Sequence, residues 1–477
     1  SGGNLYVGLA VAPATWYNQV RIKRKEAGFM EMQIPAQVAE IIDTLEKAGY
    51  EAYAVGGCVR DTILGREPGD WDITTSARPG QVKALFRRTV DTGIQHGTVT
   101  VMKGKTGYEV TTYRIDGEYE DGRHPNQVAF TANLTEDLKR RDFTINAMAY
   151  SRRTGIVDQF AAMEDLKNRI IRCVGNPEDR FEEDALRMLR AVRFSAQLGF
   201  SIEEDTRRAI RKMAPRLNMI SSERIRTELD KLLCSPHPEY FREVYELGIS
   251  AVVMPEFDRA MKTPQRNRYH DLTVGEHTLK TMAHIRPDPI LRWTMLLHDL
   301  GKAEVMTEDG QGCLHFYDHA SHSARIAGEI LRRLKFDNGT RHKVTELTAY
   351  HDFPFPISLK GVRKALSLMG EELFLLLLEV CTADSMGKND YARAEYLPKL
   401  AEVKEYYKEI TEAGDCVSLK TLAIKGSDLI SAGMKPGKAI GDCLQKCLEQ
   451  VLECPERNTK EYLLDYAEKI RGEQKKD

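Results

Sequence analysis

The chain has 477 residues, more than one hydrophobic core usually serves, so the sequence indicates two to four domains. Its 69 basic and 71 acidic residues leave a formal net charge of −2, which excludes a uniformly basic polymer and restricts any nucleic-acid contact to local patches. Nine scattered cysteines without a Cys-x-x-Cys pair argue against a disulfide framework or zinc ribbon and favour a reducing compartment. No apolar run approaches the roughly 20 residues that a membrane helix needs.

Residues 1–29 are expected to form a leader with little functional weight. Their apolar stretch "YVGLAVAPA" follows no basic residue, which makes it a poor secretory signal, and Met30 stands just before the first strong helical pattern. A small α/β domain is predicted next, with a helix over 34–50, a strand running through a glycine turn into a helix over "EAYAVGGCVRD", and strands over 97–103 and 108–114.

After about residue 160 the pattern is helical almost to the C-terminal end. The clearest helices cover 182–200 and 221–233, and both begin with acidic or serine residues that suit a helix N-terminus. A linker over 263–277 leads into a histidine-rich helical stretch that runs to about residue 390, and a last helical segment covers 398–477. The predicted fold class is therefore α+β, a small mixed domain followed by largely all-α domains.

Two aspartates in "GDWDITT" are the first candidates for a functional site. Alternate residues of a strand project to the same side, so Asp70 and Asp72 would repel each other without a cation such as Mg²⁺, which takes carboxylates and phosphate oxygens as ligands. Upstream, Gly56 and Gly57 would let backbone N–H groups approach phosphate at a helix N-terminus, and Arg60 adds a charged donor. An isolated Asp-x-Asp is more often a solvated turn, but the glycine motif at this distance favours a metal and triphosphate site.

Glu109 is a candidate third catalytic carboxylate. It lies on the predicted strand over 108–114, from which it could reach the same metals. The alternation of "EVTTYR" is equally that of an ordinary half-buried strand, so this reading stays open.

Several motifs in order carry a resemblance to a known family. "YAVGGCVRD", "GDWDITT", "HGTVTV", "LKRRDFTINAMAY", "RIIRCVGNPEDRFEEDALRMLRAVRFSAQLGF" and "RIRTELDKLL" cover roughly residues 34 to 235. Together they resemble the bacterial class II tRNA nucleotidyltransferases, or CCA-adding enzymes, and their poly(A) polymerase relatives in the DNA polymerase β-like nucleotidyltransferase superfamily. The resemblance implies a nucleotidyltransferase head over 30–163, a nucleotide-selecting helical neck over 164–226, a body and linker over 227–270, an HD domain over 271–390 and a helical tail over 391–477.

The resemblance also implies two-metal nucleotidyl transfer. Asp70 and Asp72 would hold Mg²⁺, which activates the RNA 3′-hydroxyl and stabilises the pentacovalent phosphorus and the leaving pyrophosphate. Asp142 would accept a hydrogen bond from a ribose 2′-hydroxyl. The nucleotide-binding residues that the family implies are Gly57, Arg60, Arg141, Asp142, Asp184, Arg187, Arg190 and Arg193.

Asp184 and Arg187 are candidates for selecting the base. Their spacing of three places them on one face of the predicted helix. Cytosine and adenine both present an amino donor beside a ring-nitrogen acceptor, so a carboxylate beside a guanidinium favours them over guanine and uracil without a nucleic-acid template. An exposed ion pair worth a few tenths of a kcal/mol would explain the same spacing, and the family resemblance decides for selection.

The segment over 112–130 is polar and rich in glycine and charge, as a mobile loop should be. It resembles the flexible loop that CCA-adding and A-adding relatives keep and CC-adding relatives shorten. The residues of interest are Arg114, Asp116 and Arg123, although each could be ordinary loop charge.

Nine of the twelve histidines fall within about 90 residues in the second half of the chain. Neutral imidazoles and carboxylates are good ligands for divalent transition metals. The stretch resembles the HD phosphohydrolase domain, which implies metal ligands at His277, His298, Asp299 and Asp384, and extra ligands of two-metal members at His319 and His351. A phosphatase or 2′,3′-cyclic phosphodiesterase activity is implied, and the alternative is a structural spacer for tRNA.

The predicted function is template-independent addition of C, C and A to tRNA from CTP and ATP, with Mg²⁺ in the head and a divalent transition metal in the HD domain. The protein is expected in the cytoplasm, without a membrane partner. Poly(A) or A-only addition is the second hypothesis. The third makes the HD domain the main enzyme and the head an RNA-binding module, against which the intact Asp70 and Asp72 argue.

Overall fold

The computed structural model describes residues 22–24, 30–116, 128–354 and 357–473. They form two compact units, one within residues 1–232 and 243–253 and the other within residues 233–242 and 254–477. All nine cysteines are free thiols, in agreement with the composition.

The first unit combines a mixed sheet with a group of helices. Its strands are β1 (Ile22–Arg24), β2 (Met30–Met32), β3 (Ala52–Val55), β4 (Ile73–Thr75), β5 (Thr89–Gly93), β6 (Thr98–Lys103), β7 (Thr106–Thr112), β8 (Arg114–Asp116), β9 (Val128–Phe130), β10 (Met148–Ser151), β11 (Gly155–Asp158), β12 (Ile170–Ile171) and β13 (Ser201–Ile202). Its helices are α1 (Ala36–Lys47), α2 (Gly57–Ile63), α3 (Pro79–Leu85), α4 (Leu134–Lys139), α5 (Ala162–Asn168), α6 (Pro177–Glu183), α7 (Leu186–Leu198), α8 (Glu204–Met213), α9 (Ser222–Leu233), α10 (Phe241–Glu246) and α11 (Ser250–Val253).

Seven strands form the main sheet, in the order β11-β10-β3-β4-β7-β6-β5. All its neighbours run antiparallel except β4 and β7, which are parallel with Ile73 opposite Val110. Asp72 directly precedes Ile73, and Glu109 directly precedes Val110. Asp72 and Glu109 therefore lie side by side where the pairing of β4 with β7 begins. β1 lies within the stretch expected to be a leader and pairs antiparallel with β2.

The structure breaks the helix predicted over 182–200 into α6 and α7. Asp184 has extended backbone angles (φ −150°, ψ 104°), and its Oδ1 accepts a hydrogen bond from the Leu186 N–H at 3.0 Å. An aspartate that bonds the backbone of its own segment competes with helix continuation, which is why aspartate is common at helix starts and rare inside helices. The expectation that Asp184 and Arg187 share one helix face is therefore wrong, because Asp184 lies before the first turn of α7.

In the second unit the described elements are helices apart from one short hairpin. Its elements are α12 (Pro255–Lys262), α13 (Val274–Met282), α14 (Pro289–Leu297), α15 (Lys302–Val305), β14 (Thr307–Glu308), β15 (Leu314–His315), α16 (His319–Arg333), α17 (Asn338–Tyr350), α18 (Leu359–Gly387), α19 (Asp390–Ala413), α20 (Gly426–Ser431), α21 (Lys438–Glu453) and α22 (Lys460–Glu473). The predicted linker over 263–277 is irregular only as far as α13.

Apolar side chains of α14 and α18 hold the second unit together. Trp293 on α14 is fully buried, and Phe374 on α18 belongs to a core cluster that also includes Val403 of α19. A separate cluster around Cys447 and Leu463 packs α21 against α22. Within the described ranges no helix combines the length and the apolar character that crossing a bilayer requires.

Candidate active site and candidate metal centre

Three carboxylates gather at the end of the β4–β7 pair. Asp70 and Asp72 lie in the segment just before β4, not on the strand as predicted, and the Asp72 carbonyl accepts a hydrogen bond from the Val55 N–H at 3.0 Å. Glu109 lies on β7 at the adjacent register position. The sheet thus brings the three predicted catalytic residues together.

Desolvation and neighbouring negative charge raise the pKa values of Asp72 and Glu109. Partial desolvation raises the pKa of Asp72, the nearby Asp70 raises it further, and the Arg141 guanidinium acts in the opposite direction. Desolvation also raises the pKa of Glu109, with Asp72 and then Asp70 adding to the rise. A divalent cation would offset the negative charge of these carboxylates and so favour their deprotonated forms.

The turn between β3 and α2 leaves room for the guanidinium of Arg141, which lies close to Asp72. Gly56 has φ +82° and ψ −132°, a conformation that side chains rarely adopt, and its N–H donates to the Met148 carbonyl at 3.1 Å. A Cβ at Gly56 would lie 2.9 Å from Nη1 of Arg141. The backbone conformation favours glycine here, and an added Cβ would also displace the Arg141 guanidinium.

Arg60 lies beside the start of α2, where a Cβ at Gly57 would be 3.6 Å from its Nη2, and it also has partners inside the unit. It is buried, its Nη1 donates to the Asn146 Oδ1 at 2.6 Å, and its Nε donates to the Asp61 Oδ1 at 2.9 Å. These bonds, together with one from Nη2 to the Asp61 Oδ2, use three of the five N–H groups of the guanidinium, so the predicted phosphate contact stays a prediction. Its contacts in the structure fit a residue that orients α2 and Asn146.

A chain of ion pairs connects the two parts of the predicted nucleotide site. Asp142 accepts hydrogen bonds from Nε and Nη2 of Arg190 at 2.8 and 2.6 Å, and Oε2 of Glu228 on α9 forms an ion pair with Nε of Arg193 at 2.5 Å. Burial alone would raise the pKa of Asp142, but Arg190 and Arg187 hold it below its usual value. Because the Asp142 Oδ1 also accepts from the Phe143 N–H and from Asn146, the predicted ribose acceptor is already occupied on both oxygens.

Asp184 and Arg187 are both engaged by partners other than each other. The Asp184 Oδ2 accepts from Nη2 of Arg224 at 2.7 Å, and Nη1 of Arg187 pairs with Glu183. Both side chains are largely but not fully buried, at 16% and 11% exposure. A base reaching them would exchange these internal partners for its own amino group and ring nitrogen.

Sequence reasoning missed four residues of this site: Asn146, Phe194, Arg224 and Glu228. The Phe194 ring lies under the Arg193 guanidinium, whose Cζ is 3.9 Å from the ring centroid, with Arg60 and Arg190 also nearby. Arg224 and Glu228 are four residues apart on α9, so the helical pattern of "SERIRTELDKLL" put them on one face but gave no partner for them.

The predicted flexible loop is described only at its two ends. Arg114 opens β8 and its Nη1 donates to the His96 carbonyl at 2.7 Å. Asp116 closes β8, which pairs antiparallel with β9, so the ends of the polar segment form a short β-ribbon. Arg123 lies outside the described residues.

The second unit brings all six predicted HD ligands together in two adjoining groups. His277, His298, Asp299 and Asp384 form the first group, and Asp299, His319 and His351 form the second. Within each group the ligand atoms lie within 4.8 Å of one another, and every side chain is buried. Asp299 belongs to both groups, since its Oδ2 lies 3.3 Å from Nε2 of His298 and its Oδ1 lies 3.4 Å from Nε2 of His351.

The imidazole rings are oriented as metal-bound rings usually are. His298, His319 and His351 each contact through Nδ1 a main-chain carbonyl three residues upstream, at 2.7–2.9 Å, which directs Nε2 into the group. Nε2 of His298 and Oδ1 of Asp299 are buried without a hydrogen-bond partner among the described residues. Burial lowers the pKa of His319 to about 4, so its ring is neutral at pH 7 and free to bind a metal.

Two lysines and a cavity complete this centre. Lys302 lies 2.7 Å from Asp299, and Lys388 lies 2.6 Å from Asp384, so both carboxylates of the centre are also paired with a cation. A cavity of about 530 Å³ opens onto Asp299, His319, His351 and both lysines. Its size and its polar wall are those of a site for a small charged ligand.

Gly301 fixes the distance between the two halves of the centre. A Cβ there would lie 2.5 Å from the His319 carbonyl oxygen and 2.5 Å from the Ser323 nitrogen. The Gly301 N–H donates to Oγ of Ser323 at 2.9 Å. The loop that carries His298 and Asp299 therefore packs backbone against backbone on the start of α16.

Three family models match the chain in order. The poly(A) polymerase head domain matches residues 52–172, the RNA and SrmB-binding site of polymerase A matches 199–261, and tRNA nucleotidyltransferase domain 2 matches 306–467. The first match contains the carboxylate site.

The chain is also similar to curated proteins and solved structures over nearly its whole length. It is 37% identical over 445 residues to the CCA-adding enzyme of Lactiplantibacillus plantarum, covering 92% of this chain and 98% of that protein. It is 36% identical over 437 residues to the CCA-adding enzyme of Lactobacillus helveticus, covering 90% and 96%. A crystal structure of the Bacillus stearothermophilus CCA-adding enzyme in complex with CTP matches with a TM-score of 0.69 and 32% identity, covering 94% of this chain and all of that one. Long similarity at these identities, together with the head-domain match, shows that the chain belongs to the CCA-adding enzyme family of tRNA nucleotidyltransferases.

Proposed function

We propose that this chain adds C, C and A to the 3′ end of tRNA in the cytoplasm, from CTP and ATP with release of pyrophosphate, and that Asp70 and Asp72 carry the reaction. The observation that carries the proposal is the set of three carboxylates at the end of β4 and β7, beside the Gly56 turn and Arg141. Family membership supports the activity, and the structure of a relative with CTP supports the nucleotide.

Asp70 and Asp72 would hold Mg²⁺, with Glu109 as the third carboxylate. Mg²⁺ bound there would supply activation of the 3′-hydroxyl and neutralisation of charge on the triphosphate. The protein groups bind and orient: the Gly57 N–H lies at the start of α2, and Arg141 places a positive charge beside Asp72. Transfer would join the 3′-oxygen of the tRNA to the α-phosphorus of the nucleotide and break the bond from the α-phosphorus to the oxygen bridging it to the β-phosphorus. That oxygen leaves with pyrophosphate, and the hydroxyl proton is released.

We propose that Asp184 and Arg187 select the base by exchange of partners. The amino group of C or A would take the place of Arg224 on Asp184, and the ring nitrogen would take the place of Glu183 on Arg187. Guanine and uracil offer an acceptor to the carboxylate and a donor to the guanidinium, so both contacts are lost. Arg190 and Arg193, held by Asp142 and Glu228, would complete the nucleotide-binding surface.

The experiment is incorporation on tRNA transcripts that end before CCA, after C and after CC, with each nucleotide alone and with CTP plus ATP, at single-nucleotide resolution. Asp70→Asn and Asp72→Asn should abolish incorporation. Asp91→Asn is the matched control, because Asp91 forms an exposed ion pair with Lys83 at 2.9 Å elsewhere in the same unit. Addition of C, C and A followed by a stop supports the proposal.

Other products overturn it. A long A ladder would show poly(A) addition, and A on the CC end alone would show an A-adding enzyme. For base selection, Asp184→Ala should raise misincorporation of U or G relative to C, whereas Asp205→Ala, which removes an exposed i, i+3 pair with Arg208 on α8, should not. Equal misincorporation by both variants would contradict the selection mechanism.

A second activity is favoured by the buried histidines and carboxylates. We propose that the HD domain over 271–390 binds divalent transition metals through His277, His298, Asp299 and Asp384, with His319 and His351 at a second position. The donor set fits, because both groups combine buried imidazoles with carboxylates whose pKa values lie well below normal. Bound metal would activate water to cleave a phosphate ester, as a phosphatase or a 2′,3′-cyclic phosphodiesterase.

Metal analysis and hydrolysis test this second activity. Protein loaded with Mn²⁺, Co²⁺, Ni²⁺ or Zn²⁺ should retain metal and hydrolyse 2′,3′-cyclic AMP or a phosphomonoester. His298→Gln should lose the metal and the hydrolysis while nucleotide incorporation persists, which also shows that the variant is folded. Wild-type protein that retains no metal would leave the domain as a spacer for tRNA and overturn the activity.

A further inference from the structure

A third group of metal-ligand side chains lies on the β14–β15 hairpin, apart from the six HD ligands. Asp309, Cys313 and His315 place a carboxylate oxygen, a thiol sulfur and an imidazole nitrogen within 4.8 Å of one another. All three come from one seven-residue stretch. None of them has a role in either proposed activity.

The hairpin backbone holds the three groups in this arrangement. Thr307 pairs with His315 and Glu308 with Leu314, and the Asp309 N–H donates to the Cys313 carbonyl at 3.0 Å. The register places Cys313 directly across the loop from Asp309. The order of the site therefore does not depend on an ion.

One oxygen of the carboxylate is fixed and the other is directed at the imidazole. The Asp309 Oδ1 accepts from the N–H groups of Gln311 and Cys313, at 2.9 and 3.0 Å. The Oδ2 lies 2.8 Å from Nε2 of His315. The His315 ring is stacked on the Tyr317 ring, with centroids 5.5 Å apart and planes 5° apart, which holds its orientation.

We propose that Asp309, Cys313 and His315 bind a thiophilic divalent cation of the zinc class. With metal bonds of about 2.0–2.3 Å, tetrahedral ligand atoms lie roughly 3.5 Å apart, so the ion would enter by a small widening of the Asp309–His315 contact and displacement of its proton. Sulfur, nitrogen and one oxygen suit Zn²⁺ or Co²⁺ and discriminate against Mg²⁺.

The fourth coordination position would face a cavity. Cys313 and His315 line the same 530 Å³ cavity that opens onto His319 and His351. Three protein ligands with an open position are the arrangement of a metal that can take water or an anionic ligand. The ion would thus add positive charge to the cavity wall without any contribution from the HD ligands. Its binding does not depend on nucleotide addition or on phosphate-ester hydrolysis.

Cobalt spectroscopy of the full-length protein separates this site from the HD centre. Only a thiolate ligand gives a sulfur-to-cobalt charge-transfer band in the near ultraviolet, and neither HD group contains a cysteine. Metal-free protein titrated with Co²⁺ should develop this band, and Zn²⁺ should bleach it. Cys313→Ser should lose the band and keep the visible bands of cobalt on histidine and carboxylate.

The matched control is Cys454→Ser, since Cys454 is also a partly exposed thiol beside a carboxylate, with Sγ 3.0 Å from Glu456, but no imidazole belongs to that pair. It should keep the band. Asp309→Asn should raise the cobalt dissociation constant about tenfold or more. Loss of a direct metal ligand should weaken binding at least as much as loss of a residue that only hydrogen-bonds to a ligand. Absence of the band in the wild type, or its persistence in Cys313→Ser, would overturn the proposal and leave an Asp–His hydrogen bond beside an unrelated thiol.

Discussion

Replacement of Gly56 by alanine tests whether the turn before α2 positions Arg141. The backbone there has φ +82°, and the added Cβ would lie 2.9 Å from the Arg141 Nη1, closer than ordinary contacts allow. A residue other than glycine in this region costs about 1–3 kcal/mol. In a unit of this size that corresponds to a fall of roughly 2–12 °C in Tm.

The clash predicts a loss of activity beyond the loss of stability. Arg141 must move away from Gly56, and Arg141 is the guanidinium that opposes the raised pKa of Asp72. A misplacement of this kind costs roughly 10- to 100-fold in rate. The assay is single-turnover incorporation of C on a tRNA transcript well below the melting temperature of the variant, with thermal unfolding measured in parallel.

Gly104→Ala is the matched control for backbone strain alone. Gly104 has φ +64° in the β6–β7 turn, and nothing lies within 4 Å of an added Cβ. It should lower the Tm and leave single-turnover incorporation at the wild-type rate. The reasoning would be refuted if the two variants incorporated C equally fast.

Three further predictions concern the buried charges. Glu228→Gln should lower the free energy of unfolding in urea by about 3–5 kcal/mol, because it leaves Arg193 buried without its carboxylate, and an equal loss for the exposed Glu223→Gln would contradict this. The pKa of Asp142 in the folded state lies below its unfolded value, so the stability it contributes is complete above the unfolded pKa and is lost as the pH falls. Between about pH 4 and 2 the wild-type protein should therefore lose free energy of unfolding more steeply than Asp142→Asn. Parallel curves would argue against the pairing with Arg190. Asp299→Asn should abolish metal retention at both HD positions by elemental analysis, whereas His351→Gln should spare the first, and equal retention by the two variants would count against a shared carboxylate.

Regular patterns in the sequence predicted most helices and strands and several groups of side chains that lie close together. The alternation around Glu109 and the helical spacing over 221–233 correspond to β7 and α9. The family resemblance supplied His277 and Asp384, whose contact of 2.8 Å spans 107 residues of chain. The α+β class and the family are both confirmed.

The sequence failed where a side chain competes with the backbone or chooses among several partners. Periodicity continued the helix through Asp184, but the carboxylate bonds the Leu186 N–H and ends α6. Charge alone did not indicate that Arg60 also donates to Asp61 and Asn146. Charge and spacing do not determine such pairings, because they depend on rotamers and on packing between distant segments.

The position of Asp299 between the two groups affects the order in which metal ions would bind to the HD centre. One carboxylate serves both groups, through Oδ2 in the first and Oδ1 in the second, so the two proposed positions are thermodynamically linked. An ion at either position withdraws negative charge from the other, and the resulting change in affinity must be equal in both directions. Titration with metal should therefore show two unequal steps, and a chelator should remove the weaker ion first and leave a mononuclear form whose properties differ from those of the filled centre.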